Sequence, residues 1–163
     1  MNSISIIAFT HRHFSFDEIG LLHLDDKDRQ RILTKINNEL GFDELMYLST
    51  CNRVEFIFSG STPFTSNQLE SLVKMLLEQH ANSNVNGMIE KAEVYHGEDA
   101  VTHLFSVASS IDSLVVGERE IITQVRKAFE ECKSFGLSGD VIRVLIQSTI
   151  QTAKKIYTES AIA

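Results

Sequence analysis

A cysteine in a polar turn between two strand-like segments is the residue best placed to do chemistry in this sequence. Cys51 lies in the segment Ser49 to Glu55, which reads STCNRVE. A thiol reacts as its thiolate, and a guanidinium such as that of Arg53, together with the N–H groups of a tight turn, favours that anion. The pattern predicts a nucleophile. A small buried residue at a strand end stays open as the alternative, because most free cysteines pack in a core.

The second cysteine has a different setting. Cys132 shares a helical face with a set of apolar residues, Ile121, Val125, Ala128 and Phe135. This spacing predicts an inert core residue. No CxxC pair occurs, and histidines and cysteines do not cluster, so we expect two reduced thiols and no metal site.

Three histidines are candidates for proton transfer. His103 lies in a predicted helix whose apolar face consists of Val101, Leu104, Phe105 and Ala108. The spacing points His103 away from that face, which leaves two interpretations: an ordinary exposed histidine, or a cleft residue that moves protons near neutral pH. His11 and His13 end the first predicted strand and flank Arg12. For these two, a solvated strand end is favoured over a site.

The segment Asp112 to Glu120 joins two predicted helices through small, polar and acidic residues. Glu118 and Glu120 lie where a helix N-terminus favours negative charge, so helix capping explains them without a function. Neither GxGxxG nor GxxxxGK[ST] occurs, and the chain therefore shows no recognisable cradle for a nucleotide phosphate.

The first part of the chain alternates strand and helix patterns. The predicted strands are Ser3 to Thr10, Leu45 to Ser49, Val54 to Ser59, and Ala92 to His96. The predicted helices begin at Ser15, at about Asp25 with Gly41 as a stop, and at Asn67, and a polar loop is expected at Ala81 to Gly87. The order β-αα-β-β-α-β predicts an α+β, ferredoxin-like split βαβ sheet with helices on one face.

After His96 the patterns are helical only. Helices are expected over Glu98 to Ser109, over Gly117 to Phe135, and from Gly139 to the end. The last of these runs into Ala163 without a stop signal, which is typical of a chain cut from something longer.

Composition limits the class of protein. The chain has 163 residues, 43% hydrophobic and 23% charged, with a net charge of −7. This balance excludes a disordered tail, and the apolar runs are shorter than the roughly 20 residues that span a bilayer. With no signal-peptide pattern, we expect a soluble cytoplasmic protein. Because the net charge is negative, any recognition of nucleic acid must use a local group of basic residues. The last two predicted helices carry six such residues, and the sequence alone does not show whether they share one face: Arg126, Lys127, Lys133, Arg143, Lys154 and Lys155.

Several motifs together carry a family resemblance. They are STCNRVE at 49–55, GEDAVTHLF at 97–105, DSLVVGE at 112–118 and QVR at 124–126. With them, the whole chain resembles the N-terminal catalytic domain of the glutamyl-tRNA reductases.

The resemblance implies a mechanism. Cys51 would attack the ester that joins glutamate to the 3′ end of its tRNA, and NADPH would reduce the resulting thioester to glutamate-1-semialdehyde for tetrapyrrole (porphyrin and heme) synthesis. His103 would act as a proton-transfer or positioning group. Arg53 would clamp a substrate carboxylate. The implied substrate-binding set is Thr50, Asn52, Arg53, Ser113, Glu118 and Gln124.

The resemblance also implies an organisation. Residues 1–163 would form one catalytic domain, globular to about residue 140, and then the start of a long spinal helix. The NADPH-binding and dimerisation domains of the family would lie outside this chain, so the isolated domain is not expected to complete the reaction. The full-length enzyme would be a homodimer and glutamate-1-semialdehyde aminomutase a partner, while neither a membrane nor a metal is implied.

Some positions depart from the family pattern. Thr10 stands for the usual Asn, Ser106 for Arg, Ser110 for Gly and Glu120 for a neutral Gln, and no substrate role is carried onto Glu120. A second hypothesis stays open beside the enzyme: a non-catalytic binding or regulatory module of the same fold, with Cys51 as a structural or redox-sensing thiol.

Overall fold

The computed structural model describes residues 3–109 and 120–159 of the chain. Its strands are β1 (Ser3–Thr10), β2 (Glu44–Ser49), β3 (Arg53–Gly60) and β4 (Glu93–His96). The helices of the first part are α1 (Phe16–Leu21), α2 (Asp26–Leu40), α3 (Ser66–Leu76) and α4 (Val85–Lys91). The helices after β4 are α5 (Glu98–Ala108), α6 (Glu120–Ser134) and α7 (Asp140–Glu159).

The strands form one antiparallel sheet in the order β2-β3-β1-β4. β2 and β3 are a hairpin in which Ser49 lies opposite Val54, and β1 pairs with β3 so that Thr10 lies opposite Arg53. This order is that of a split βαβ sheet, and the ferredoxin-like α+β prediction is confirmed.

The first face of the sheet is covered by α1 to α4, and local signals set these helices. Ser15 caps α1 in a reciprocal capping box with Glu18, and Gly41 ends α2 in the left-handed conformation with φ 71°. The core on this face is aromatic and aliphatic, and its members include Phe9, Leu33, Ile36, Phe56 and Phe58.

The second face is covered by α5 to α7. Its core joins sheet residues to these helices and includes Ile6, Met46, Ile57, Leu104, Val125, Ile142 and Ile146. The sheet is therefore buried on both faces, and β3 is buried from Arg53 to Ser59. The first half of α7 packs into this core, and α7 ends its described part at Glu159.

One helix differs from the prediction. The expected polar loop at Ala81 to Gly87 is wrong in its second half, because α4 begins at Val85. The side chain of Asn84 caps this helix by accepting a hydrogen bond from Gly87 N at 3.0 Å. With Met88 as its one buried residue, the helix is too short to show an apolar period.

The N-terminus of α7 is capped from the sheet. The Glu44 carboxylate, at the start of β2, accepts hydrogen bonds from the backbone N–H groups of Gly139, Val141 and Ile142 at 2.8 to 3.0 Å. A Cβ at Gly139 would lie 3.2 Å from the Glu44 carboxylate carbon, so this close approach favours glycine. None of the described helices is long and apolar enough to cross a membrane.

Candidate active site

The turn between β2 and β3 holds Cys51 in a fixed backbone. Thr50 N donates to Arg53 O at 2.9 Å, and the Thr50 hydroxyl accepts from Asn52 N at 3.1 Å. His11 N, at the end of β1, donates to Asn52 O at 3.0 Å. Because its neighbours take up these bonds, the turn is anchored to the hairpin and to the central strand while it presents the side chain of Cys51.

The two cysteines have opposite environments. Cys51 is exposed, and its thiol donates to Asn52 Oδ1 at 3.6 Å. Cys132 is fully buried, and its Sγ accepts from Tyr47 N at 3.4 Å. Burial raises the pKa of Cys132 to about 11, so this thiol is protonated at neutral pH. The prediction of an inert core residue is confirmed for Cys132.

Directly below the turn, the second face of the sheet carries a buried charge network. Arg53 Nη1 donates to Glu55 Oε2 at 2.7 Å, and His103 Nε2 donates to Glu55 Oε1 at 2.7 Å. The exposed fractions of the three residues are 1%, 0% and 7%. Burial alone would raise the pKa of Glu55, but the hydrogen bonds and charges of His103 and Arg53 outweigh it and hold that pKa below its ordinary value. Glu55 is therefore an anion that links the strand to α5.

The expectation that His103 points away from the apolar face is wrong. The buried face of α5 runs through Ala100, His103, Leu104 and Val107, while Val101 and Phe105 are only half-buried. The buried face of α5 is thus rotated around the helix axis, by about one residue, from the face that its apolar residues alone indicate. A polar residue sits in it because Glu55, distant in sequence, supplies a partner. Of the two interpretations of His103, the ordinary exposed histidine is excluded.

A second polar layer lies beside His103. The Tyr95 ring stacks on the His103 ring with centroids 4.1 Å apart and an interplanar angle of 13°. The Tyr95 hydroxyl donates to Glu93, and burial together with this bond raises the pKa of Tyr95. Glu93 also accepts from Thr10 Oγ1 at 3.3 Å. The His103 imidazole is therefore fixed both in its plane and at its Nε2 atom.

The histidines at the end of β1 differ from each other. The side chain of His13 is 51% exposed and lies 3.8 Å from Glu93, as expected of a solvated strand end. His11 is only partly exposed, and its Nε2 is buried with no hydrogen-bond partner in the described part of the chain. Burial and then the charge of Arg53 lower the pKa of His11, so its imidazole is neutral at pH 7.

Gln124 reaches the other side of the turn. It lines a cleft of about 270 Å³ between the end of β2 and α6, together with Arg29, Tyr47, Leu48, Ser49, Lys127, Ala128 and Glu131. Ser49 directly precedes Thr50, so Gln124 lies close to the cysteine turn. Arg29 closes one wall through its bond to Glu131 at 2.9 Å.

The structure thus brings most of the predicted site residues to one end of the sheet. Thr50, Asn52 and Arg53 surround Cys51 in the turn, His103 joins Arg53 through Glu55, and Gln124 lines the adjoining cleft. Ser113 and Glu118 lie outside the described residues. In residues 3–109 and 120–159, no group of three His, Cys, Asp or Glu side chains could hold a metal ion.

Glu55 is the residue that sequence reasoning missed. The signal in the sequence was a carboxylate inside an apolar strand, Val54 to Ser59. Three predicted helices follow the last strand, and no additional strand is predicted that could form a second sheet for them. Those helices had to pack on the face that Glu55 occupies, and a carboxylate buried there requires a cationic partner.

The fold and site define an α+β domain that presents one exposed thiol above a buried arginine, glutamate and histidine. Residues 7–160 match the family described as glutamyl-tRNAGlu reductase, N-terminal domain, and the chain belongs to this family. It is also similar to the solved structure of glutamyl-tRNA reductase from Methanopyrus kandleri, with a TM-score of 0.75 and 26% sequence identity. The similarity covers 96% of this chain and 34% of that chain, so this chain spans about a third of that protein's length.

Proposed function

We propose that this chain captures the glutamyl group of glutamyl-tRNA as a thioester on Cys51. One observation carries the proposal: the exposed thiol lies in a turn that leads into β3, and the first residue of β3, Arg53, belongs to the buried network of Glu55 and His103. Membership in the glutamyl-tRNA reductase family supports the choice of substrate.

The reaction is an acyl transfer. The Cys51 thiolate attacks the ester carbonyl carbon, a C–S bond forms, and the C–O bond to the ribose of the terminal nucleotide breaks. The thiol proton ends on the ribose oxygen, so the products are the thioester and tRNA with a free 3′ end. No oxidant or reductant is required at this stage.

His103 is the proposed group for the proton. Glu55 accepts from Nε2, which leaves Nδ1 as the ring nitrogen that is proposed to exchange a proton with the substrate. The stacked Tyr95 keeps the ring in place. In this structure the imidazole bonds Glu55 and the thiol bonds Asn52, so His103 acts on the substrate complex rather than by a preformed bond to sulfur.

Substrate-binding roles are proposed for the residues around the thiol. Thr50, Asn52 and Gln124 provide hydroxyl and amide groups, and Arg53, which is 1% exposed beneath the turn, keeps the carboxylate-binding role that the family resemblance implies. The pairing of Arg53 with Glu55 fixes the guanidinium plane. Ser113 and Glu118 keep the roles that the family resemblance implies.

Reduction of the thioester requires a hydride from NADPH, and the sequence lacks the glycine-rich phosphate loop that is typical of sites for this cofactor. The proposal for this chain therefore ends at the thioester. The homodimer and the aminomutase partner remain predictions for the whole enzyme.

The test is a single-turnover reaction of the chain with ¹⁴C-glutamyl-tRNA at neutral pH, quenched in acid. Wild type is expected to retain label on the protein, and hydroxylamine is expected to release that label because it cleaves thioesters. Cys51→Ser is expected to retain no hydroxylamine-sensitive label. Cys132→Ser is the matched control, because its buried thiol takes no part in the reaction.

Two outcomes would contradict the proposal. Label that persists in Cys51→Ser would place the acyl group elsewhere. Wild type that leaves glutamyl-tRNA intact, while Cys51 also reacts slowly with iodoacetamide, would favour a binding module with a structural thiol.

A further inference from the structure

A cleft with a basic rim lies between α6 and α7, away from the cysteine turn. Its volume is about 370 Å³, and it is lined by Ile122, Thr123, Arg126, Lys154, Tyr157 and Thr158. Ile122 and Tyr157 are buried and form the floor, while the remaining four residues are exposed and form the rim. The rim therefore offers two cations and the Thr123 hydroxyl to a ligand, because the Thr158 hydroxyl donates to Lys154 O at 3.0 Å.

Among the described residues, no carboxylate neutralises the cations at this end of the helix pair. Arg126, Lys154 and the neighbouring Lys127 form no ion pair with a carboxylate of the described residues. Two of the nearby carboxylates have other partners: Glu131 pairs with Arg29 at 2.9 Å and Glu159 with Lys155 at 4.0 Å. Glu120, at the first described position of α6, makes contacts of its own. This local positive charge is notable in a chain with a net charge of −7.

Charge is segregated along the two helices. At the opposite end of the pair, Glu130 and Asp140 are exposed, and Arg143 is held by Asp140 at 3.2 Å. The helix pair is therefore basic at the α6 N-terminal end, whereas at the other end the cations Lys133 and Arg143 are accompanied by Glu130 and Asp140.

The basic end is also the end near Cys51. Gln124 and Lys127 line a cleft with Ser49, whereas Cys132, further along α6, contacts Tyr47. α6 thus runs antiparallel to β2, and its first turns lie where β2 leads into the cysteine turn. Of the parts of α6, these first turns are therefore the ones that lie nearest to the cysteine turn.

We propose that Arg126, Lys127 and Lys154 bind backbone phosphates of the tRNA acceptor arm, with the cleft between α6 and α7 receiving one of them. The inference rests on the proposed function for the identity of the polyanion. The protein's overall charge repels RNA, so a local cluster of cations that forms no ion pair within residues 3–109 and 120–159 is the means by which it holds a phosphate backbone.

The test uses the 163-residue chain and deacylated tRNA-Glu, with binding measured by fluorescence anisotropy from 0.05 to 0.3 M KCl. Each phosphate contact contributes about 0.9 to the slope of log K against log salt. In the double variant Arg126→Gln/Lys154→Gln, that slope is expected to fall by about 2. Binding at 0.15 M salt is expected to be roughly thirtyfold weaker, by the same relation.

The control is Lys133→Gln/Arg143→Gln, which removes the same charge from the opposite end of the same two helices. This control is expected to leave the slope unchanged. Equal slopes in the two double variants, or wild type that does not bind tRNA-Glu in a salt-dependent way, would overturn the inference.

Acylation by 2′(3′)-O-glutamyl-adenosine separates this inference from the proposed function. This substrate carries the reacting ester but no phosphate backbone, so Arg126→Gln/Lys154→Gln is expected to react with it as wild type does. Normal acylation with unchanged tRNA slopes would leave the thioester proposal standing and reject the phosphate site. If Arg126→Gln/Lys154→Gln lowers the tRNA slope but wild type is acylated by neither substrate, the phosphate site would stand and the thioester proposal would be rejected.

Discussion

The two faces of the sheet are built from the same strand in contrasting ways. On the first face β3 contributes Val54, Phe56 and Phe58 to an apolar core, and on the second it contributes Arg53 and Glu55. Apolar residues of similar volume are often as stabilising as a buried ion pair, or more so. The apolar residues on the first face therefore contribute to stability alone. On the second face, burial removes Arg53 and Glu55 from water, which costs free energy but holds their charges beneath the cysteine turn.

The largest expected effect on stability comes from the apolar face. Phe56 is fully buried, and Phe56→Ala is expected to lower the free energy of unfolding by about 3 to 5 kcal/mol because it leaves a cavity. Urea unfolding measures this loss. Acylation of Cys51 per folded molecule is expected to stay near wild type, and a large loss of acylation would show that the two faces are not separable.

On the charged face, Glu55→Gln is expected to cost about 3 kcal/mol, because Arg53 stays buried without its anion. This variant is also expected to lose acylation, since His103 loses the carboxylate that orients it. The double variant Arg53→Met/Glu55→Leu removes the pair together and is expected to regain most of the stability but no acylation. Recovery of both properties would mean that the network is structural only.

A smaller effect is expected from pH. The pKa of Glu55 is depressed in the folded chain, so its contribution to stability is complete above the ordinary value of 4.5 and is lost as the pH falls through the folded pKa. The stability of wild type is expected to fall below about pH 4.5 more steeply than that of Glu55→Gln, by at most about 1.4 kcal/mol per pH unit. Urea unfolding between pH 6 and pH 3.5 checks the difference, and parallel curves would refute it.

The smallest effect on stability is expected from substitution of Cys51, although this substitution is expected to have the largest effect on acylation. Cys51 is exposed, and Cys51→Ser is expected to change the free energy of unfolding by less than about 0.5 kcal/mol. A thermal melt that matches wild type, together with absent thioester, is the expected result. A clear drop in melting temperature would instead point to a structural thiol.

Much of the fold could be predicted because its signals are local. Ser15 and Glu18 form the capping box that the sequence suggested, Gly41 ends α2, and the β2–β3 hairpin surrounds the predicted turn. α4 escaped prediction because seven residues with a single buried side chain show no period.

The site was harder to predict because its contacts are distant in sequence. The turn of Cys51 is contiguous and was found, whereas the bond between Glu55 and His103 joins a strand to a helix across 48 positions. Alternation in β3 shows which residues share a face, but only the packing of α5 to α7 decides that this face is buried. Without that knowledge, Glu55 and His103 look like ordinary surface residues.

The cap that Glu44 places on α7 has a mechanical consequence. β2 is fastened at its first residue to the N-terminus of a twenty-residue helix, and at its last residue it enters the turn that carries the thiol. An extended strand is stiff along its length, so a displacement of the helix end is transmitted to the opposite end of β2. A change in the orientation of α7 is therefore expected to shift the turn that carries Cys51, because β2 connects the two.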